Sequence, residues 1–150
     1  MADETDVLIQ QWLSRWEQIR HSENQRATIT NMVLVLAAAG IGFIAQKGAG
    51  PDLLFVSGAL VLLGIFGALS SAKYYERFKL HLREAGALRQ KIDERFPRLG
   101  LGELTKETWR TQRLDYPRLT KIPLYGLWIA LHIGITLVGA LATLAILARL

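Results

Sequence analysis

Three stretches of this chain contain no Asp, Glu, Lys or Arg: residues 27–45, 53–72 and 122–148. An α-helix rises about 1.5 Å per residue, so roughly 20 apolar residues cross a hydrocarbon core of about 30 Å. The first two runs fit that length. The third would make about 40 Å of helix at the same rise, and is expected to tilt or to leave its first turn among the headgroups. The pattern predicts an all-α membrane fold with three transmembrane helices, at about 27–45, 53–72 and 122–148.

The charges between the runs predict an orientation. Of the 18 Lys and Arg residues, three precede the first run (Arg15, Arg20, Arg26) and thirteen lie between Lys73 and Lys121. Lys47 falls in the turn QKGAGPD and Arg149 near the end. Short loops rich in Lys and Arg stay in the cytoplasm. The 150 residues are therefore expected to form a single membrane domain, with 1–26 and 73–121 cytoplasmic and the C-terminus at the far face. A cleaved leader is not expected, because Asp3, Glu4 and Asp6 open a long charged stretch before the first apolar run. Cysteine is absent, so neither disulfides nor thiol chemistry enter.

The polar segments carry helical periodicity. In TDVLIQQWLSRWEQIRHSENQR, Leu8, Trp12, Trp16 and Ile19 recur at helical spacing, widened by Ile9 and Leu13. This predicts an amphipathic N-terminal helix running into the first span. Trp12 and Trp16 are expected to pack on the protein's own polar part or to lie at the lipid interface, with stacking on a ligand as the alternative. After the second run no proline occurs until Pro97, and Tyr75, Phe78, Leu82, Ala85, Ile92 and Phe96 follow three-four spacing. Arg89 alone interrupts that stripe. A helical stalk is expected, continuous with the second span and about 65 Å long from Leu53 to Phe96. Its apolar stripe must bury against the N-terminal helix, the segment that follows, or other copies of the chain. PRLGLG ends the stalk, and ELTKETWRTQRLDY predicts a short helix with Thr105 as its N-cap. YPRLTKIP reads as extended, since residues preceding proline disfavour helix.

Catalytic motifs are missing, and His21, His81 and His132 fall in three different segments. No enzymatic activity, metal site or cofactor is expected. Small residues four apart, at Ala38/Gly42, Gly64/Ala68 and Gly67/Ser71, favour close helix contacts in lipid and suggest a homo-oligomer. His132, Thr136, Gly139 and Thr143 fall on one face of the third span. Ionisable residues within a membrane usually face a bundle interior or a water-filled cavity. That stripe is the candidate lining of a pore if several copies surround an axis. The alternative is internal packing, with His132 paired to Asn31 or Ser57. Residues 73–121 carry thirteen basic and seven acidic side chains, a net of +6. Attraction to anionic lipid heads accounts for such a charge. A polyanionic ligand also would: Trp109 beside Arg110 and Arg113, followed by Tyr116, Arg118 and Lys121, could stack a base and hold phosphates.

An amphipathic helix with the juxtamembrane run WEQIRHSENQR, a two-helix hairpin, a basic stalk and a final helix make a familiar layout. It resembles the small transmembrane effectors of bacterial anti-phage systems built around a nucleotidyltransferase, of the CBASS and Hailong kind. It also resembles the octameric small membrane proteins of the RipA type. The resemblance implies an oligomeric, ion-conducting effector in the bacterial inner membrane, regulated by a cytoplasmic nucleotide or single-stranded oligonucleotide made by a partner nucleotidyltransferase. The alternative is a non-conducting oligomeric scaffold that docks a cytoplasmic protein.

Overall fold

The computed structural model describes residues 3–48 and 50–149, so Ala49 of the predicted turn and Leu150 at the C-terminus lie outside it. Four α-helices follow one another: α1 (Glu4–Lys47), α2 (Leu54–Arg95), α3 (Leu101–Asp115) and α4 (Leu124–Leu147). Short 3-10 turns at Pro51–Leu53, Pro97–Leu99 and Leu119–Lys121 join them. No strand occurs among the described residues. α1, α4 and the helical stretch Pro51–Arg95 each hold a segment long and apolar enough to cross a membrane.

α1 and α2 reach their lengths because nothing in either sequence stops them. No proline occurs between Glu4 and Lys47 or between Leu54 and Arg95. Each ends where backbone chemistry demands it. At Gly48 the chain takes φ +77°, a left-handed conformation that glycine alone adopts without strain. Pro51 then occupies the first position of a 3-10 turn, where its missing N–H costs nothing. Pro97 and the left-handed Gly100 (φ +56°) make the second reversal.

The chain divides into two compact units. The polar unit comprises Met1–Glu23 and Tyr75–Pro123, and the apolar unit Asn24–Tyr74 and Leu124–Leu150. In the polar unit the first part of α1 packs on the second part of α2. Ile19, Ala85 and Ile92 are its buried apolar residues. Ion pairs tie the same two helices: Arg15 to Glu84 at 3.4 Å, and Arg95 to Glu4 at 2.9 Å and Asp3 at 3.8 Å. The hydrogen bond to Glu4 raises the Arg95 guanidinium above its ordinary value. A raised value stabilises the fold wherever a free arginine is charged and fades only as pH climbs through the folded value, so this tie does not respond to physiological pH. The stripe expected along the stalk is only partly covered: Leu82 and Phe96 remain exposed.

In the apolar unit α1, α2 and α4 share one core, with Val33, Ala37, Leu60 and Ile135 at its centre. The buried faces are read directly from spacing. α1 buries Arg26, Thr30, Val33 and Ala37, and α4 buries His132, Ile135, Gly139 and Ile146. Most other large side chains of these helices are exposed, among them Val35, Phe55, Leu62, Leu69, Leu141 and Leu144. An apolar surface of that extent suits a lipid environment, where it costs nothing to leave uncovered.

Two local expectations are corrected. Thr105 does not cap α3. The helix begins four residues earlier, at Leu101, and the cap comes from Asp93 on α2. Residues 118–121 are not extended, while Ile122, just before Pro123, keeps the extended backbone expected of it. Thr120 N–H bonds to the Tyr116 carbonyl and Ile122 N–H to that of Leu119, closing a 3-10 turn. Proline restricts only the residue before it, which leaves Arg118 to Lys121 free to turn.

Candidate functional site

The polar unit holds a cleft that α2 and α3 build together. Asp93 accepts hydrogen bonds from Leu101 N–H (2.8 Å) and Gly102 N–H (2.7 Å), two of the donors that a helix start leaves unsatisfied. Its charge also sits favourably at the positive end of α3. One turn earlier on the same face of α2, Arg89 Nη1 donates to Thr105 Oγ1 at 2.8 Å. Thr105 in turn donates to the Leu101 carbonyl. These bonds fasten the first turn of α3 to α2. One turn further along α3 come Trp109 and Arg110, then Arg113.

The resulting cleft has a volume of about 610 Å³, with Arg89, Lys106, Trp109, Arg110 and Arg113 among its lining residues. Trp109 is 58% exposed there. Lys106 pairs with Glu103 at 2.8 Å on the surface, whereas Arg110 and Arg113 take part in no ion pair among the described residues. Four cations and an indole around one concave surface attract an anion and offer a flat ring to stack on it. Ordinary small-molecule sites measure about 300–1,000 Å³.

Of the six residues expected to hold a ligand, the structure brings Trp109, Arg110 and Arg113 together in this cleft. Tyr116 lines a separate, smaller hollow with Gln112, Leu119 and Thr120. Arg118 and Lys121 line neither. Arg89 and Lys106 were missed. Arg89 had announced itself as the one charge in an otherwise apolar stripe; Lys106 stands one turn before Arg110.

The second candidate set lies in the apolar unit, and its four residues all meet helices of the same protomer. His132 is fully buried, 3.3 Å from Thr30 Oγ1 on α1. Its ring packs over Gly67 of α2, where an added Cβ would collide with it. His132 Nδ1 has no hydrogen-bond partner among the described residues. Thr136 donates to the His132 carbonyl at 3.1 Å and lies against Gly64. Gly139 is buried against α2, where a Cβ would come within 2.8 Å of Val61 N. Thr143 Oγ1 lies 2.9 Å from Ser57 Oγ and from the Gly139 carbonyl, one proton shared between two acceptors. The partner of His132 is thus Thr30, not Asn31 or Ser57. The stripe packs inside the protomer, with His132 Nδ1 left unpartnered, and Gly64 and Gly67 face α4 at that contact. Hydrogen bonds of this kind between membrane helices contribute about 0.6 kcal/mol on average. At the start of α4, Trp128 lies under the buried Arg26, guanidinium to ring centroid 5.4 Å.

Comparison with family models, with curated proteins and with solved structures gives no match.

Proposed function

We propose that this chain is the subunit of an oligomeric, ion-conducting effector of the bacterial inner membrane, regulated by a nucleotide or oligonucleotide on its polar, cytoplasmic unit. The observation that carries this reading is the cleft, in which an indole and four cations converge. Phosphates would meet Arg89, Lys106, Arg110 and Arg113, and a base would stack on Trp109. The excess of basic residues over 73–121 supports a cytoplasmic position for the cleft. By resemblance, a nucleotidyltransferase would supply the ligand. The described arrangement is the closed one in this reading, since His132, Thr136, Gly139 and Thr143 are engaged within the protomer. A ligand opens the assembly only by binding the open state more tightly.

The test is current across a planar bilayer holding the purified oligomer, with and without short DNA oligomers and cyclic nucleotides. Ligand-dependent unitary steps that vanish in Arg110→Ala/Arg113→Ala are expected. A silent bilayer with an intact oligomer under every ligand sinks the reading.

A scaffold is the second reading, favoured by the packing of the stripe inside the protomer and by the exposed leucines of α3 and the turn after it, Leu104, Leu114 and Leu119. It predicts that His132→Leu and Thr136→Leu keep the oligomer and its cytoplasmic protein partner.

A further inference from the structure

A second hollow of the polar unit adjoins the cationic cleft and shares Arg89, Thr105 and Trp109 with it. Its volume is about 510 Å³. Its walls are of another chemistry: Trp12, Trp16, Leu82 and Leu104, with Gly86 at its base. Three indoles therefore surround one groove, and the cations stand at one end of it. Trp12 and Trp16 meet edge to face, ring centroids 6.1 Å apart. Trp16 is still 37% exposed and Trp109 58%.

Gly86 is the informative residue. It sits inside α2 with ordinary helical backbone, so no left-handed conformation calls for glycine. No close approach calls for it either, because the place a Cβ would occupy has no neighbouring atom within 4 Å. Glycine is the poorest helix former after proline. What its missing side chain leaves is room between the tryptophans. A planar ring fits such a slot better than an acyl chain would, because an indole face rewards stacking and the adjoining charge rewards phosphate.

We infer that the groove over Gly86 is a base slot: the ligand is a purine nucleoside phosphate whose base enters between Trp16 and Trp109 while its phosphates rest on Arg89, Arg110 and Arg113. This rests on the nucleotide reading of the cleft and adds which part of the ligand goes where. Purines stack over a larger area than pyrimidines, which orders the preference.

Equilibrium binding of ATP, CTP and inorganic tripolyphosphate to the full-length protein in detergent separates the parts. ATP should bind roughly 5- to 100-fold more tightly than tripolyphosphate, as one stacked base provides, with CTP between them. Gly86→Leu fills the slot and should bring ATP down to the tripolyphosphate level while tripolyphosphate binds as before. Trp109→Leu, at an exposed position, should cut the same difference should Gly86→Leu fail to fold. Equal binding of ATP and tripolyphosphate to the unaltered protein overturns the slot but leaves the anion cleft standing. Equal weakening of both by Gly86→Leu overturns it as well. A change of oligomeric mass in Gly86→Leu with ATP binding intact assigns the groove to a second copy and overturns it. Binding of neither probe overturns the cleft reading along with the slot.

Discussion

The side chains of the apolar unit show how little space separates its helices. Gly64 and Gly67 face α4, and Gly139 faces α2; a methyl group at any of them would meet backbone or ring atoms closer than van der Waals contact allows. In lipid no hydrophobic force drives helices together, so packing and hydrogen bonds decide their association. Gly67→Ala would drive a methyl into the His132 ring, which is held on its other side by Thr30. Overpacking of a filled core costs about 1–3 kcal/mol. Thermal unfolding in detergent, followed by near-ultraviolet circular dichroism, should show Gly67→Ala clearly less stable than the parent. Gly58→Ala is the control, since the space over Gly58 is open; its transition should fall at or above the parent's. Equal transitions for the two variants would mean that α4 does not seat on Gly67. His132 was visible in the sequence as an oddity, but its seat was not. A stripe of His, Thr and Gly at helical spacing fits a lumen and a tight interface equally well. That Gly67 and Thr30 lie across from it is a tertiary fact, and helical periodicity carries no information about what lies across.

At the scale of elements, α3 depends on α2 for its start. Gly100 offers no side chain to cap it, and none of its residues is buried. Without the Asp93 carboxylate two backbone donors would lose their partners. Asp93→Ala should then cost about 0.5–2 kcal/mol, the ordinary loss for a missing cap. The cost should be local: hydrogen exchange at Leu101 and Gly102 is expected to quicken while amides near Ala85 keep their protection. On the proposed function nucleotide binding should weaken too, because α3 carries Trp109, Arg110 and Arg113. Unchanged exchange in the variant would show that Arg89 and Thr105 suffice to hold the helix. This device also explains why the sequence misled about Thr105. Reading an N-cap from sequence looks just ahead of the apolar pattern, whereas this carboxylate comes from eight residues upstream, on the preceding helix. The long helices were legible for the opposite reason. Their C-terminal ends follow from Gly48, Pro51 and Pro97, which need no tertiary knowledge. Arg89 lies between these cases: a charge breaking an apolar stripe was readable, and its bond to Thr105 was not.

For the whole molecule the question is which side of a membrane each part occupies, and composition bears on it more than contacts do. The polar unit takes in Tyr75–Pro123 and so nearly all of the basic stretch 73–121, because charge pattern and compact packing change at almost the same place along the chain. If lysine and arginine set the orientation, Thr111 on α3 faces the cytoplasm and Asp52, in the turn before α2, faces away from it. Both are exposed, and the chain has no cysteine, so each can be replaced by the only thiol in the protein. A membrane-impermeant maleimide added to spheroplasts should label Asp52→Cys at once and Thr111→Cys only after the membrane is permeabilised. The pattern must reverse if the orientation does. In that case the cationic cleft would open away from the cytoplasm, where no cytosolic nucleotide reaches it. The effector reading would fail for want of access, whatever the cleft binds in detergent. The expected labelling, by contrast, puts Arg110 and Arg113 on the side where a nucleotide made in the infected cell would appear.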